Sequence, residues 1–168
     1  MTTHLTSGAA WLAKIAAYPR RRMNRSPWPP NGEPAPIPIG RAFHVVRVPA
    51  GNAKKVVHYL HARSIPTGPV LAQPHVWSFL VPTSLVDGRD IPGGLLLTGR
   101  DRTQTLKCPQ PGQPASKDRY WQTAPDGSGE LMNPPALAEA IAQTIAASAC
   151  DDGSDPGHPD PHEGPPRD

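Results

Sequence analysis

The spacing of hydrophobic residues changes period twice between residues 42 and 82, and this stretch predicts the centre of the fold. Residues 42–48 and 76–81 have the alternating or continuous apolar pattern of β-strands, with a shorter extended run at residues 70–71. Between them, residues 51–63 place their apolar side chains at helical spacing. A β-α-β unit of this kind buries one face of a sheet under its helix, so we expect the rest of the chain to pack around it.

Further predicted elements flank this unit on both sides. In chain order they are a helix at residues 6–18, a short buried strand at 95–97, an edge strand or hairpin arm at 102–108, a return to the core at 120–121, and a last helix from residue 134. Thr6 or Ser7 is expected to cap the first helix, Asn52 the central helix and Asn133 the last one. The predicted fold is α/β, of the α+β kind, with a small mixed or antiparallel sheet packed by helices.

Proline content divides the chain into segments. The 168 residues include 24 prolines, about three times the usual share of ~5%, and many of them lie in residues 27–38 and 156–166. The predicted organisation is an N-terminal helix and basic segment at 1–25, a proline-rich linker at 26–39, an α/β domain at 40–149, and a disordered acidic tail at 150–168. Trp28 is expected to anchor the linker to the core.

The charges are distributed unevenly along the chain. Residues 1–149 contain 16 of the 17 lysines and arginines and 8 of the 14 acidic residues, whereas residues 150–168 contain one arginine and six acids. The body therefore carries a net charge of +8 and the tail −5. A basic body predicts an anionic partner, with the acidic tail as a competitor for the same surface. The alternative is that the basic surface only keeps the protein soluble.

Cysteine usage and the absence of common motifs restrict the possible chemistry. Cys108 and Cys150 fit neither a disulfide framework nor a zinc pattern, which is typical of a reducing cytoplasm. No signal peptide is predicted, because the Ala-rich segment precedes its arginines, the reverse of a charged n-region. No membrane helix is predicted either, because no apolar run approaches about 20 residues. His58 and His61 share a helix face, but no third metal ligand follows at a diagnostic spacing. Phosphate-binding glycine loops and nucleophile elbows are missing too, so no catalytic residue, metal or cofactor is predicted.

Several short motifs occur in a specific order across about residues 37–123. They are Val45-Val46-Arg47-Val48-Pro49, Gly51 and its helix, Ile65-Pro66-Thr67, His75 before residues 76–82, Val86-Asp87, Gly93-Gly94-Leu95-Leu96-Leu97, and Tyr120-Trp121. This order resembles the N-terminal domain of bifunctional DNA primase-polymerases, in the archaeo-eukaryotic primase superfamily. The resemblance implies a palm-like fold with a nucleotide groove and a role in DNA replication.

The metal-binding acids of that family have no counterpart in this chain. The family's first strand carries an Asp-x-Asp pair that holds two divalent metal ions. The matching positions are Arg47 and Pro49, or His44 and Val46 in a shifted register, and residues 34–86 contain no Asp or Glu. Because one remaining carboxylate cannot hold two magnesium ions, polymerisation is not expected.

Two other family positions are matched. His75 corresponds to a histidine that holds the incoming nucleotide, and Asp87, or less well Asp90, corresponds to a later aspartate. Trp77, Phe79 or Tyr120 would stack on a base if exposed, and belong to the core if buried.

We therefore expect a degenerate primase-polymerase-like domain that binds nucleic acid or a nucleotide in an accessory or regulatory role. The candidate binding residues are Arg41, Arg47, Lys54, Lys55, Arg63, His75 and Asp87. One alternative is a protein-interaction module, with no nucleic-acid role, whose proline-rich arm or acidic tail engages a partner. A second is a residual nucleotidyltransferase, which would require magnesium or manganese.

Overall fold

The computed structural model describes residues 6–17, 26–85, 87–99, 104–114 and 118–151. In these residues the helices are α1 (Ser7–Ala17), α2 (Ala50–Ala62) and α3 (Pro134–Asp151). The strands are β1 (Ala35–Pro38), β2 (His44–Pro49), β3 (Val70–Ala72), β4 (Val76–Val81), β5 (Leu95–Leu97), β6 (Thr105–Cys108) and β7 (Tyr120–Thr123). Helices combined with antiparallel sheets confirm the predicted α+β class.

The main sheet has the strand order β5-β2-β4-β3-β7, and every neighbouring pair is antiparallel. Because β2 and β3 are each antiparallel to β4, they run parallel to one another with β4 between them. α2 connects β2 to β3, so the predicted β-α-β unit is present in a split form with one strand inserted.

One face of the main sheet is covered by α2 and α3, and we call it the helix face. Val46 and Val48 of β2 lie on this face because alternate residues of a strand share a side. They pack with Phe79 of β4 against the apolar stripe of α2, which includes Val56 and Leu60. The helical spacing seen in the sequence therefore corresponds to a buried contact.

The opposite face is covered by α1 and by a two-stranded ribbon of β1 and β6, and we call it the ribbon face. Val45 and Leu80 of the main sheet are fully buried here, against Leu12 of α1 and Ile37 of β1. The main sheet thus lies between two layers, and a ligand can reach it only where one of them is incomplete.

The proline-rich segment contributes more than a linker to this second layer. Ala35–Pro38 pairs antiparallel with β6, and proline is tolerated there because a two-stranded ribbon leaves one edge of each strand unpaired. Trp28 is buried, and its Nε1 donates a hydrogen bond to the carbonyl oxygen of Cys108 at 2.8 Å. This contact confirms Trp28 as the anchor of the segment.

Two local expectations need correction. Of the two alternatives for residues 102–108, the edge strand is confirmed by β6 and the hairpin arm is wrong, because β6 pairs with β1 and not with β5. Beyond β5, Gly99 has a φ of 65° and contacts the backbone of Ile39 closely, which directs the chain toward the ribbon. α2 begins at Ala50, so Asn52 is not its cap. Pro49 takes that position without a side-chain hydrogen bond.

The other two predicted caps are confirmed. Thr6 Oγ1 accepts a hydrogen bond from the Ala9 amide at 3.3 Å, and Asn133 Oδ1 accepts one from the Ala136 amide at 3.2 Å. The start of α1 is also held by a loop at residues 125–129, where Ser7 Oγ donates to the carbonyl oxygen of Asp126.

Two charged segments lie outside the described residues. They are the basic residues Arg20, Arg21, Arg22 and Arg25, and the tail from residue 152 onward. None of the three described helices has the length and apolar character needed to cross a membrane.

Candidate functional site

Arg47 lies on the ribbon face of β2, and its surroundings differ from those of the other candidate residues. The residue is half-buried, and its Nε is fully buried without a hydrogen-bond partner. Directly opposite on β4 is Ser78, which is 0% exposed and whose Oγ also has no partner. The two unsatisfied buried side-chain atoms of the described residues therefore belong to one cross-strand pair.

This pair belongs to a row of side chains that crosses the whole ribbon face. The row contains Leu95 of β5, Arg47, Ser78, Leu71 of β3 and Trp121 of β7. At the β7 end it is covered, since Leu71 is fully buried and Trp121 Nε1 donates to the Pro109 carbonyl oxygen at 2.9 Å. At the β5 end it is open, since Leu95 is 60% exposed.

The open part of the ribbon face is a corner of the sheet. Pro49 follows Arg47 on the same side of β2 and is exposed, and its partner Val76 on β4 is only half-buried. We call Leu95, Arg47, Pro49 and Val76 the Arg47 corner. α1 and the ribbon cover the preceding row, through Val45, but leave these four residues half-buried or exposed.

Arg47 can donate hydrogen bonds to an anion at this corner, whereas the neighbouring Ser78 hydroxyl is fully buried. A buried donor without a partner costs roughly 1–3 kcal/mol, and such groups normally find a protein or water partner. The guanidinium of Arg47 presents a planar set of donors suited to two parallel bonds with a phosphate or carboxylate. The arrangement is therefore suited to holding an oxyanion.

The start of α2 lies beside this corner and is also free of acids. The Ala50 amide donates to the carbonyl oxygen of His75 at 3.0 Å, which brings that exposed histidine next to the helix N-terminus. The first turn contains no acidic residue and has no side-chain cap, and Lys54 is exposed. We call Ala50–Lys54 with His75 the α2 start. It adds positive potential beside Arg47.

Two of the predicted cations instead hold α2 against α3. Lys55 Nζ donates to Ser148 Oγ at 3.0 Å. Arg63 lies 3.7 Å from a Glu139 carboxylate oxygen and 4.4 Å above the centre of the Tyr59 ring. Loss of hydration and a hydrogen bond to Glu139 raise the pKa of the Tyr59 phenol above its usual value. These contacts place both cations on α2, beyond the helix face, rather than in the Arg47 corner.

The last two predicted residues are also away from the corner. Arg41 is exposed and precedes β2, at the opposite end of that strand from Pro49. Asp87 accepts a hydrogen bond from the Arg89 amide at 2.9 Å and lies 3.3 Å from Arg89 Nε, capping the short 3-10 turn Gly88–Asp90. Of the predicted residues, Arg47 therefore lies at the open corner, and His75 and Lys54 lie at the α2 start that follows its strand. Arg41, Lys55, Arg63 and Asp87 lie elsewhere.

The burial of other candidates removes them from a site. Trp77 and Phe79 belong to the helix-face core, so neither can stack on a base, while Tyr120 is half-buried. His44 and Val46 are also buried, which leaves Arg47 and Pro49 as the register that reaches an open surface. Burial raises the pKa of the Cys108 thiol far above its usual range, which makes it unsuitable as a nucleophile.

Sequence reasoning missed Ser78. A single hydroxyl in the apolar run Val76-Trp77-Ser78-Phe79-Leu80-Val81 was the available signal, but its partner across the sheet could not be assigned without the register.

A surface cleft at the other edge of the sheet is formed by residues 66–69 together with Thr123, Asp126 and Glu130. Its two carboxylates make it unsuited to phosphate.

Neither the possible metal ligands of the described residues nor comparisons with known proteins indicate a function. The described part of the chain holds no group of three or more His, Cys, Asp or Glu side chains that could bind a metal ion. No protein-family model, no curated protein and no solved structure matches this chain.

Proposed function

We propose that this protein binds the phosphate of single-stranded nucleic acid or of a nucleotide at the Arg47 corner. In this proposal it is a primase-polymerase-like domain with an accessory or regulatory role and no polymerase activity. The observation that carries it is Arg47, which lies at an open corner of the sheet and whose buried Nε has no acceptor. A phosphate oxygen would supply the missing acceptor.

The charges around the corner support an anionic ligand. Residues 34–86 carry five lysines and arginines and no carboxylate, so nothing in β2, α2, β3 or β4 repels a phosphate. Removing the family's metal-binding acids also removes the need for magnesium at this position, because Arg47 would contact the phosphate directly. The role assigned to Arg47 is therefore binding rather than catalysis.

The test is the affinity of Arg47→Ala for a labelled oligothymidine and for a nucleotide, measured by fluorescence anisotropy at two salt concentrations. We expect several-fold weaker binding without a loss of melting temperature, since the buried Nε makes no hydrogen bond that the substitution would break. Arg89→Ala is the matched control, since it removes the same charge from a side chain that is 92% exposed and lies outside the corner. Binding that is equal in the parent and Arg47→Ala would overturn the proposal.

A protein partner is the second candidate. Leu95 is 60% exposed and Ile145 of α3 is 43% exposed, and Gly93 lies close to Ile145 just before β5. These apolar side chains flank the β5 edge and suit a protein contact. If Arg47→Ala binds phosphate ligands like the parent while Leu95→Ser abolishes self-association or capture of a partner, this candidate replaces the first.

A further inference from the structure

We propose that a second copy of this chain pairs with β5, so that the main sheets of two copies join edge to edge about a two-fold axis at Leu96. The pairing goes beyond phosphate binding and does not rest on it. Among the described strands β5 pairs only with β2, which makes β5 one of the two edges of the main sheet. An edge strand presents a row of backbone donors and acceptors to any strand of matching shape.

The exposed apolar side chains of the described residues are concentrated at this edge. Leu95 of β5 is 60% exposed and Ile145 of α3 is 43% exposed, and no other large hydrophobic residue in the described part of the chain is exposed. Leu95 lies on the ribbon face in the row of Arg47, whereas α3 lies on the helix face. Ile145 packs against the turn before β5, where a Cβ on Gly93 would lie 2.6 Å from its Cδ1. The β5 edge is therefore apolar on both faces of the sheet.

The order of residues along β5 makes this edge complementary to itself. Antiparallel pairing about Leu96 sets Leu96 opposite the same residue of the second copy, and Leu95 opposite Leu97 of the second copy. Leu95 and Leu97 share the ribbon face because alternate residues of a strand lie on one side. The leucines of both copies would form one apolar cluster there, and such cross-strand pairs stabilise a sheet.

The charges along this edge favour a second copy as the occupant. A two-fold pairing brings a charged strand edge close to its own like charge, and natural edge strands often carry lysine or proline that prevents such pairing. Residues 91–99 contain no Asp, Glu, Lys or Arg, and β5 itself contains no proline. The other edge of the sheet differs, since β7 carries the exposed Gln122 and follows Asp118 and Arg119. Self-pairing is therefore expected at β5 and not at β7.

The length of β5 and the net charge of the chain predict how the dimer behaves. Three paired residues from each copy form a short interface, so we expect a weak and reversible dimer. Each copy carries a net charge of +3, so screening by salt should strengthen the dimer. Salt should weaken phosphate binding instead, so the two activities can be distinguished.

Sedimentation equilibrium of the full chain tests the pairing. We expect a dimer whose population rises with protein concentration and with salt. Leu95→Lys should raise its Kd about tenfold or more, because two ammonium groups would be desolvated at the joined edges. Its melting temperature should stay near the parent's, since Leu95 is exposed. The matched control is Gln122→Lys, which adds the same charge to the other edge of the sheet and should dimerise like the parent.

Hydrogen exchange of the parent at low and high protein concentration distinguishes strand pairing from a contact of side chains alone. The β5 amides that point away from β2 should exchange more slowly at high concentration, while the β7 amides should not change. A parent that stays monomeric would overturn the pairing and favour a strand from another protein as the occupant. A dimer that survives Leu95→Lys, or one without protection of β5, would overturn it too. Equal weakening by Gln122→Lys would assign the effect to net charge and exclude the specific edge.

Discussion

At the scale of single residues, the contacts of a cation indicate its role better than its position in the sequence. Lys55 and Arg63 contact Ser148 and Glu139, so they stabilise the packing of α2 on α3. Arg47 has an unsatisfied buried Nε instead. Among the described residues no group accepts a hydrogen bond from this Nε, so the half-buried arginine retains a donor for an anion.

Reversing the charge at this position should abolish binding. Arg47→Asp introduces one carboxylate at a position where primase-polymerases, which this chain resembles, have a pair. A single carboxylate repels phosphate and cannot form a two-metal site. We expect no detectable oligonucleotide binding and no primer extension. Binding by Arg47→Asp that equals the parent's would show that the corner is not the site.

Ser78→Ala separates stability from binding. Removing a buried hydroxyl that has no partner should leave the free energy of unfolding unchanged or raise it by about 1 kcal/mol, since the cost of the unsatisfied group disappears. Because Ser78 is 0% exposed, a bound phosphate cannot reach its hydroxyl, so the affinity should stay at the parent's value. Thermal melting and anisotropy titration measure the two effects, and a loss of both stability and affinity would indicate a structural role instead.

At the scale of elements, the docking of α1 depends on Gly8. A Cβ at this position would overlap the Pro125 carbonyl oxygen, and a backbone atom cannot easily move away. Gly8→Ala should therefore destabilise the protein by about 1–3 kcal/mol, as overpacking does. Gly51 in the first turn of α2 has open space around it, so Gly51→Ala is the control and should be neutral or stabilising by up to ~1 kcal/mol. Similar melting temperatures for the two variants would contradict this account.

The loop that receives α1 gives stability a dependence on pH. The Ser128 hydroxyl donates a hydrogen bond to the Asp126 carboxylate at 2.6 Å, and the Ser128 backbone N–H donates a second at 2.8 Å. These two bonds, the hydroxyl's first in size, lower the pKa of Asp126 below its usual 3.8. A depressed folded-state pKa stabilises the protein above the pKa of the unfolded chain, and this stabilisation disappears as pH falls through the folded value. Ser128→Ala should raise the Asp126 pKa, measured by NMR titration, and flatten the loss of melting temperature below about pH 4. An unchanged Asp126 pKa in the variant would refute the assignment.

At the scale of the whole molecule, the absence of paired carboxylates predicts that no polymerisation occurs. The chain should make no product in primer synthesis or extension assays with magnesium or manganese, because residues 34–86 contain no carboxylate and Asp87 is engaged in capping a turn. Asp87→Asn keeps a side-chain acceptor for that turn while losing the charge. A metal-dependent product that disappears in this variant would restore the nucleotidyltransferase alternative.

The periodicity of the sequence determined much of the element order. Local patterns predicted strands β2, β4 and β5, helices α2 and α3, and the caps Thr6 and Asn133. This was possible because side-chain alternation and helix ends are decided by neighbours in the chain. The absence of acids in residues 34–86 was likewise visible at once.

Only the tertiary structure decided which of these residues meet. The insertion of β4 between β2 and β3 set Arg47 opposite Ser78, and the pairing of β1 with β6 covered part of the ribbon face while leaving the Arg47 corner open. The packing of α3 engaged Lys55 and Arg63, through Ser148 and Glu139. Such long-range pairings depend on the packing of the whole core, which no local pattern encodes, because a local pattern fixes the face of a side chain but not its neighbour across the fold.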